Sequence, residues 1–157
     1  QPDLAWSLKQ IARHGPEAFY AGSIADKIVA TMEAGGGLVG HADLSAYRVV
    51  ERTPVYGDYR GYKIASMPPP SSGGVHLIQM LNMLENWQLG ELDHNSASYI
   101  HRLAEVMRLA YADRSKYLGD PDYVSVPVAD LLDKAYARRL FKSILPLYHS
   151  HEASVSQ

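Results

Sequence analysis

The chain has 157 residues, 46% of them hydrophobic and 20% charged, which is enough for one domain with a real core and too little for two ordinary ones. A net charge of −2 excludes a sequence-independent nucleic-acid binder, which needs a basic face, and no run approaches the ~20 apolar residues of a membrane span. The absence of cysteine excludes disulfides, thiol nucleophiles and zinc–thiolate sites together.

Gln1-Pro2-Asp3-Leu4 shows no basic segment followed by an apolar stretch, so no signal peptide is expected within this chain. Asp3 is the expected cap of a first helix, with Leu4, Leu8, Ile11 and Ala12 at helical spacing and Gly15 as its stop. Pro16 suits the first turn of a short helix through Tyr20, ending at Gly22. Ser23 is the expected cap of a third helix with the stripe Ile24, Ile28, Val29 and Met32, closed by Gly35-Gly36-Gly37. A single helical turn is expected around Asp43, Leu44 and Tyr47.

From Val49 the apolar period changes to two. Val49, Val50, Thr53, Val55 and Tyr56 read as an edge or bulged strand, because Pro54 cannot donate to a ladder. Gly57 to Gly61 reads as a turn, Tyr62 to Ser66 as a second strand, and the prolines 68 to 70 close it. The remainder is helical: Val75 to Trp87, then Ser96 to Leu118 with Asn95 as cap, then short helices at Val128 to Leu132 and Lys134 to Leu145. The longest of these is expected to bury Ile100, Leu103, Ala104, Met107, Ala110 and Tyr111. Between them, Gly119-Asp120-Pro121-Asp122 is a turn signal, and residues from Leu147 to Gln157 show no period and read as a tail. The fold class is therefore mostly α with one β-hairpin. A lone hairpin is poor cover for several amphipathic helices, so its sheet is expected to be completed by sequence outside this chain.

Candidate chemistry is sparse. Ser71-Ser72-Gly73-Gly74 lies between a strand and a helix, where a nucleophilic serine can sit, but no glycine stands two residues before either serine. An anion cradle at the helix start is the physically better reading, yet no lysine follows Gly74 as a phosphate loop requires. The favoured reading is structural: prolines end the strand, serine caps the helix and glycine permits close packing. None of the seven histidines forms an i,i+4 pair, and His149-x-His151 is at most a weak chelate in the tail. Asp113 lies inside the long helix next to Arg114, while Asp120 and Asp122 flank Pro121 as candidates to bind a cation or to act as acid and base, with turn geometry their favoured role. Arg114 either clamps a substrate carboxylate or pairs with a turn aspartate. Eleven tyrosines against two phenylalanines suit a domain that packs against other polypeptide.

Three blocks in order, "LAWSLKQIARHGPEAFYAGSIADKIV", "GGLVGHADLSAYRVVERTPVYGDYRGYKIASMPPPSSGGVHLIQMLNMLE" and "AYADRSKYLGDPDYVSVP", resemble the bacterial γ-glutamyltransferases (γ-glutamyltranspeptidases, glutathione hydrolases) from about Pro2 to about Ile144. The resemblance implies a fragment of an αββα N-terminal-nucleophile hydrolase, made as a precursor that cuts itself into a large and a small subunit. It implies that the new N-terminal threonine of the small subunit attacks the γ-glutamyl carbonyl, with its own α-amine as base. The acyl group then passes to water, an amino acid or a peptide, with no metal or organic cofactor. Periplasmic or secreted location is likewise implied by the family.

The resemblance covers only the C-terminal part of the large subunit, residues 1–146, with 147–157 as a non-family tail. No Thr-Thr-His stretch occurs, and the only threonines are Thr31 and Thr53. No catalytic, substrate-binding or metal-ligating position of the family carries over to this sequence, so the chain alone is expected to be inactive. Its expected partners are the remainder of the large subunit and the small subunit, with glutathione or other γ-glutamyl compounds as substrates of the whole. Exposed apolar surface is expected to make the isolated chain self-associate. A segment of a related cephalosporin or glutaryl acylase and a free-standing, non-enzymatic interaction domain are the alternatives.

Overall fold

A computed structural model describes residues 1–144. The expected tail lies outside the described residues. Contacts divide the chain into two compact units, residues 1–51 and residues 52 onward, a division that length and composition did not point to.

The first unit holds α1 (Pro2–His14), α2 (Glu17–Tyr20), α3 (Ser23–Gly35) and α4 (His41–Ala46). α1 starts one residue before the expected cap. Proline fits the first helical position because its missing N–H would be unpaired there, so Gln1 takes the cap position and Asp3 falls in the first turn, where its charge opposes the helix dipole. Gly22, not Ser23, precedes α3 in extended geometry. At the other end of α3, Gly36 is left-handed (φ 70°) and the Gly37 N–H donates to the Met32 carbonyl at 2.7 Å. Ala18, Ile24, Ala25 and Val29 form the buried centre of this unit. The stripe on α1 does not join it: Leu4, Leu8 and Ile11 remain 52%, 57% and 38% exposed.

The second unit begins with a hairpin of β1 (Val55–Tyr59) and β2 (Tyr62–Ser66), antiparallel from Val55↔Ser66 to Tyr59↔Tyr62. The turn is Arg60-Gly61 alone, with φ of 50° and 85°, the two left-handed residues of a primed hairpin turn. Gly57, Asp58 and Tyr59, expected in the turn, therefore belong to the strand. Val49, Val50 and Thr53 lie outside regular structure, and pairing begins immediately after Pro54, the residue that has no N–H to give.

Helices α5 (Gly73–Leu84), α6 (Ala97–Tyr117), α7 (Val128–Leu132) and α8 (Lys134–Lys142) follow, with a 3₁₀ turn at Leu89–Glu91. Ser96, not Asn95, caps α6, its hydroxyl accepting the Tyr99 N–H at 3.2 Å, while Asn95 supplies a left-handed step before it (φ 57°). α5 is the axis of the unit. It buries Val75, Ile78, Met83 and Leu84 together with the polar His76, Gln79 and Asn82. One end packs with Val55 and Leu131, the other with Val106, Ala110 and Ala137.

Two glycines set how closely α5 approaches the hairpin. A Cβ on Gly57 would stand 2.5 Å from Ile78 Cγ2. A Cβ on Gly74 would collide with the Met67 carbonyl oxygen and stand 2.7 Å from Val55 Cγ2. Backbone cannot move aside as a side-chain tip does, so Gly74→Ala is expected to lower stability by about 2 kcal/mol or more. Gly73→Ala, whose Cβ meets only Ser71 Oγ at 3.3 Å, is expected to stay within about 0.5 kcal/mol. Urea unfolding of the two variants checks this; equal losses would sink the packing argument.

Candidate functional site

The serine–glycine junction is built by the end of β2, the prolines and the first turn of α5. The Pro69–Pro70 peptide is cis. Ser71 Oγ accepts the Gly73 N–H at 3.2 Å, and the Ser72 carbonyl accepts the His76 N–H at 2.9 Å. Ser72 takes the cap position without making a side-chain cap bond. Its hydroxyl instead accepts from Nε of Arg114 on α6, at 3.2 Å. Arg114 thus ties the junction to α6 rather than pairing with a turn aspartate.

A nucleophilic serine needs a base within hydrogen-bond reach. His76 lies one turn along α5, but it is buried, and its Nε2 sits 2.8 Å from the Ala110 carbonyl oxygen. A carbonyl only accepts, so Nε2 carries the proton and is committed to α6. The ring also lies 4.9 Å from that of Tyr111. The arrangement locks two helices together and leaves the serines without a relay through this histidine.

The fold gives Asp113 and the two turn aspartates different partners. Asp113 faces inward from α6, accepting from Gln79 Nε2 at 2.5 Å and from the Tyr136 hydroxyl at 2.9 and 3.0 Å. Burial, reinforced by the hydrogen bond to Asp113, pushes the Tyr136 hydroxyl up to about 12. Asp120 and Asp122 build their own turn: Asp120 Oδ1 accepts the Asp122 N–H at 3.0 Å, and the Asp120 carbonyl accepts from Tyr123 and Val124. The cation facing that turn is Arg52, 2.5 Å from Asp122 and 4.0 Å from Asp120.

Among the described residues no three His, Asp or Glu side chains converge as a metal ligand set. His41 reaches Asp26 at 3.8 Å. His149 and His151 lie outside the described residues. Among the hollows open to solvent is one in each unit. One, of about 330 Å³, lies between Tyr117, Asp130, Tyr136 and Arg139; the other, of about 750 Å³, lies between Trp6, Lys27 and Thr31 in the first unit. Neither is lined by Ser71, Ser72 or Arg114.

Gln79, Tyr136 and Lys134 were not singled out in the sequence. Lys134 Nζ bridges Asp58 at 2.6 Å and Glu85 at 2.7 Å, and Glu85 also accepts the Arg60 N–H at 3.0 Å. Lys134 and that N–H hold the Glu85 carboxyl below its ordinary range. The one readable signal was the spacing of His76, Gln79 and Asn82, a polar row at steps of three residues on an otherwise apolar helix.

A family model described as gamma-glutamyltranspeptidase matches residues 1–157. The glutathione hydrolase proenzyme of Escherichia coli (strain K12) is 52% identical over 144 residues, which are 92% of this chain and 25% of that protein. An acylase ACY 1 proenzyme from Pseudomonas sp. (strain V22) is 52% identical over 137 residues, 87% of this chain and 25% of that protein. The crystal structure of Helicobacter pylori γ-glutamyltranspeptidase superposes with a TM-score of 0.81 at 52% identity, covering 94% of this chain and 42% of that one. The chain spans about a quarter of the length of these curated relatives.

The Asp113–Tyr136 tie can be read in solution. A difference titration of the chain against Tyr136→Phe, followed by tyrosinate absorbance, is expected to place Tyr136 near 12, above the 10.0 of an unperturbed tyrosine. Because its folded-state value is raised, its contribution to stability is complete below pH about 10 and is lost as pH climbs toward 12. Asp113→Asn removes the carboxylate charge and is expected to lower the midpoint. A midpoint of 10 in the wild-type chain would mean the pair does not form.

Proposed function

The chain belongs to the γ-glutamyltranspeptidase family, and from that premise we propose that it is a scaffold segment of a larger precursor whose assembled form cleaves γ-glutamyl amides such as glutathione. The assembled enzyme transfers the γ-glutamyl group to water, an amino acid or a peptide. Residues 1–146 belong to the C-terminal part of its large subunit, and the partners of the chain are the rest of that subunit and the small subunit. The enzyme works in the periplasm or outside the cell.

The observation that carries this reading is the full-length family match set beside the span of only a quarter of the relatives. What the chain itself offers is consistent with support rather than chemistry. Thr31 lies within α3 with its hydroxyl donated to the Lys27 carbonyl at 2.8 Å, so it is held as part of a helix. Ser71 and Ser72 are engaged with Gly73 and Arg114. The family mechanism needs a nucleophile and a base in contact, and Ser71 and Ser72 have neither role here.

A second reading is favoured by one observation, the acylase proenzyme at 52% identity. Under it, the same scaffold serves an enzyme that opens other acyl amides, and this segment contains no residue that chooses between them. Comparing the assembled enzyme on γ-glutamyl and glutaryl amides separates the two.

The chain alone is expected to release no p-nitroaniline from γ-glutamyl-p-nitroanilide under conditions in which an intact family enzyme turns over. Turnover by the chain alone that disappears in Ser71→Ala or Ser72→Ala would overturn the scaffold reading and make the junction an active site.

A further inference from the structure

α6 carries more apolar surface than the described fold covers. Its buried line is Val106 and Ala110, both without exposed surface, with Leu103 and Leu109 packed on the same core. A second line consists of Ile100, Ala104, Met107 and Tyr111. The steps of four, three and four residues set these four side chains along one seam, about 100° round the helix from the buried line. Ile100, Met107 and Tyr111 are 53%, 40% and 52% exposed, and Ala104 is exposed between them.

The face that the periodicity expects to be buried is thus divided: Leu103 and Ala110 pack on the core, while Ile100, Ala104, Met107 and Tyr111 are exposed. Glu105 and Lys116 lie well round the helix from this seam, whereas Arg108, four residues after Ala104, borders it and pairs with Glu105 at 2.8 Å. At its C-terminal end the line reaches Arg114, which turns toward Ser72. The alternating four–three spacing with a small residue between larger ones is the pattern of a helix that receives another helix closely alongside it.

We propose that the Ile100–Ala104–Met107–Tyr111 seam is the docking face for an apolar helix supplied by the part of the precursor that lies outside this chain. The inference rests on the reading of the chain as one segment of a longer protein. About three-quarters of the length of the E. coli relative lies outside the region matched here, ample to supply such a helix. A segment on the same chain also outcompetes a second copy, because its effective concentration at the seam is on the order of millimolar. Self-association of the isolated chain through the same seam is what remains when that helix is missing.

The test places this chain in the corresponding segment of the E. coli relative and follows oxidation of Met107 by dilute peroxide with mass spectrometry. Met107 is expected to oxidise at least tenfold more slowly in the folded chimera than in the same chimera unfolded in urea. Rates within twofold would overturn the proposal. So would protection that appears in the isolated chain as its concentration rises but is absent from the chimera, since the occupant would then be a second copy. Ala104→Glu is expected to cut the yield of folded chimera at least tenfold while leaving the thermal midpoint of the isolated chain unchanged; a normal yield would count against docking. Protection of Met107 in a chimera that releases no p-nitroaniline would leave the docking intact and sink the functional reading, so the two can fail separately.

Discussion

The structure of the larger unit depends on how closely the first turn of α5 lies against the backbone that leaves β2. Gly74 makes that approach possible, because any side chain there would occupy the position of the Met67 carbonyl oxygen. Gly57 repeats the device farther along, under Ile78. With both side chains reduced to hydrogen, α5 seats Val75 and Ile78 against Val55, and a five-residue hairpin arm that would be marginal alone becomes one wall of a core. The serine–glycine junction follows from this seating. It is where a chain ending a strand must turn and start a helix with almost no room.

Once α5 is central, its polar row decides how its neighbours are arranged. His76 meets the Ala110 carbonyl, Gln79 meets Asp113, and Asn82 Nδ2 donates to the Leu132 carbonyl at 2.9 Å. Each net hydrogen bond is worth only about 1 kcal/mol, but a buried amide left unpaired costs about 1–3 kcal/mol. The row therefore discriminates among packings more than it adds stability: shifting α6 along α5 would unpair His76 and Gln79 at once. Lys134 does the same at the surface for the hairpin, holding Asp58 of β1 and Glu85 at the end of α5 with one ammonium group. Exposed pairs of this kind contribute about 0.2–1 kcal/mol, so the bridge fixes registration while the apolar core carries the stability.

The elements were legible in the sequence wherever periodicity and punctuation agreed. Long apolar repeats located α3, α5 and α6, and the Gly35-Gly36-Gly37 run located the end of α3, whereas α5, expected over Val75 to Trp87, runs over Gly73–Leu84. The misses share a cause, which is competition between two local signals. Asp3 and Asn95 both look like caps, but Pro2 already satisfies the start of α1, and Ser96 offers a hydroxyl one residue later with Asn95 free to turn left-handed. Val49 to Thr53 has strand composition, but composition does not supply a partner, and the ladder stops where Pro54 removes a donor. Arg114 could not be paired from sequence because Ser72 lies 42 residues away and its competitor for the turn aspartates, Arg52, looks the same in one dimension. As for the candidate site, Ser71, Ser72, Asp113 and Arg114 were visible, but Gln79, Tyr136 and Lys134, and the commitments of all of them to backbone and to one another, were not.

The disagreement over α6 is of another kind. Periodicity located a broad apolar face on that helix, and the described fold covers only part of it, Leu103 and Ala110, leaving Ile100, Ala104, Met107 and Tyr111 exposed. α1 shows the same mismatch, with Leu4, Leu8 and Ile11 forming a stripe that nothing in its own unit covers. Amphipathic pattern records the surroundings in which a helix is stable, so a bare stripe on an otherwise well-packed helix marks surroundings that are missing rather than a misread period. Each of the two units carries such a stripe, and the relatives are about four times as long as this chain. On the proposed scaffold reading, the rest of the precursor covers these stripes, and the serine junction, the buried histidine and the Asp113–Tyr136 tie hold one wall of the fold in position for it.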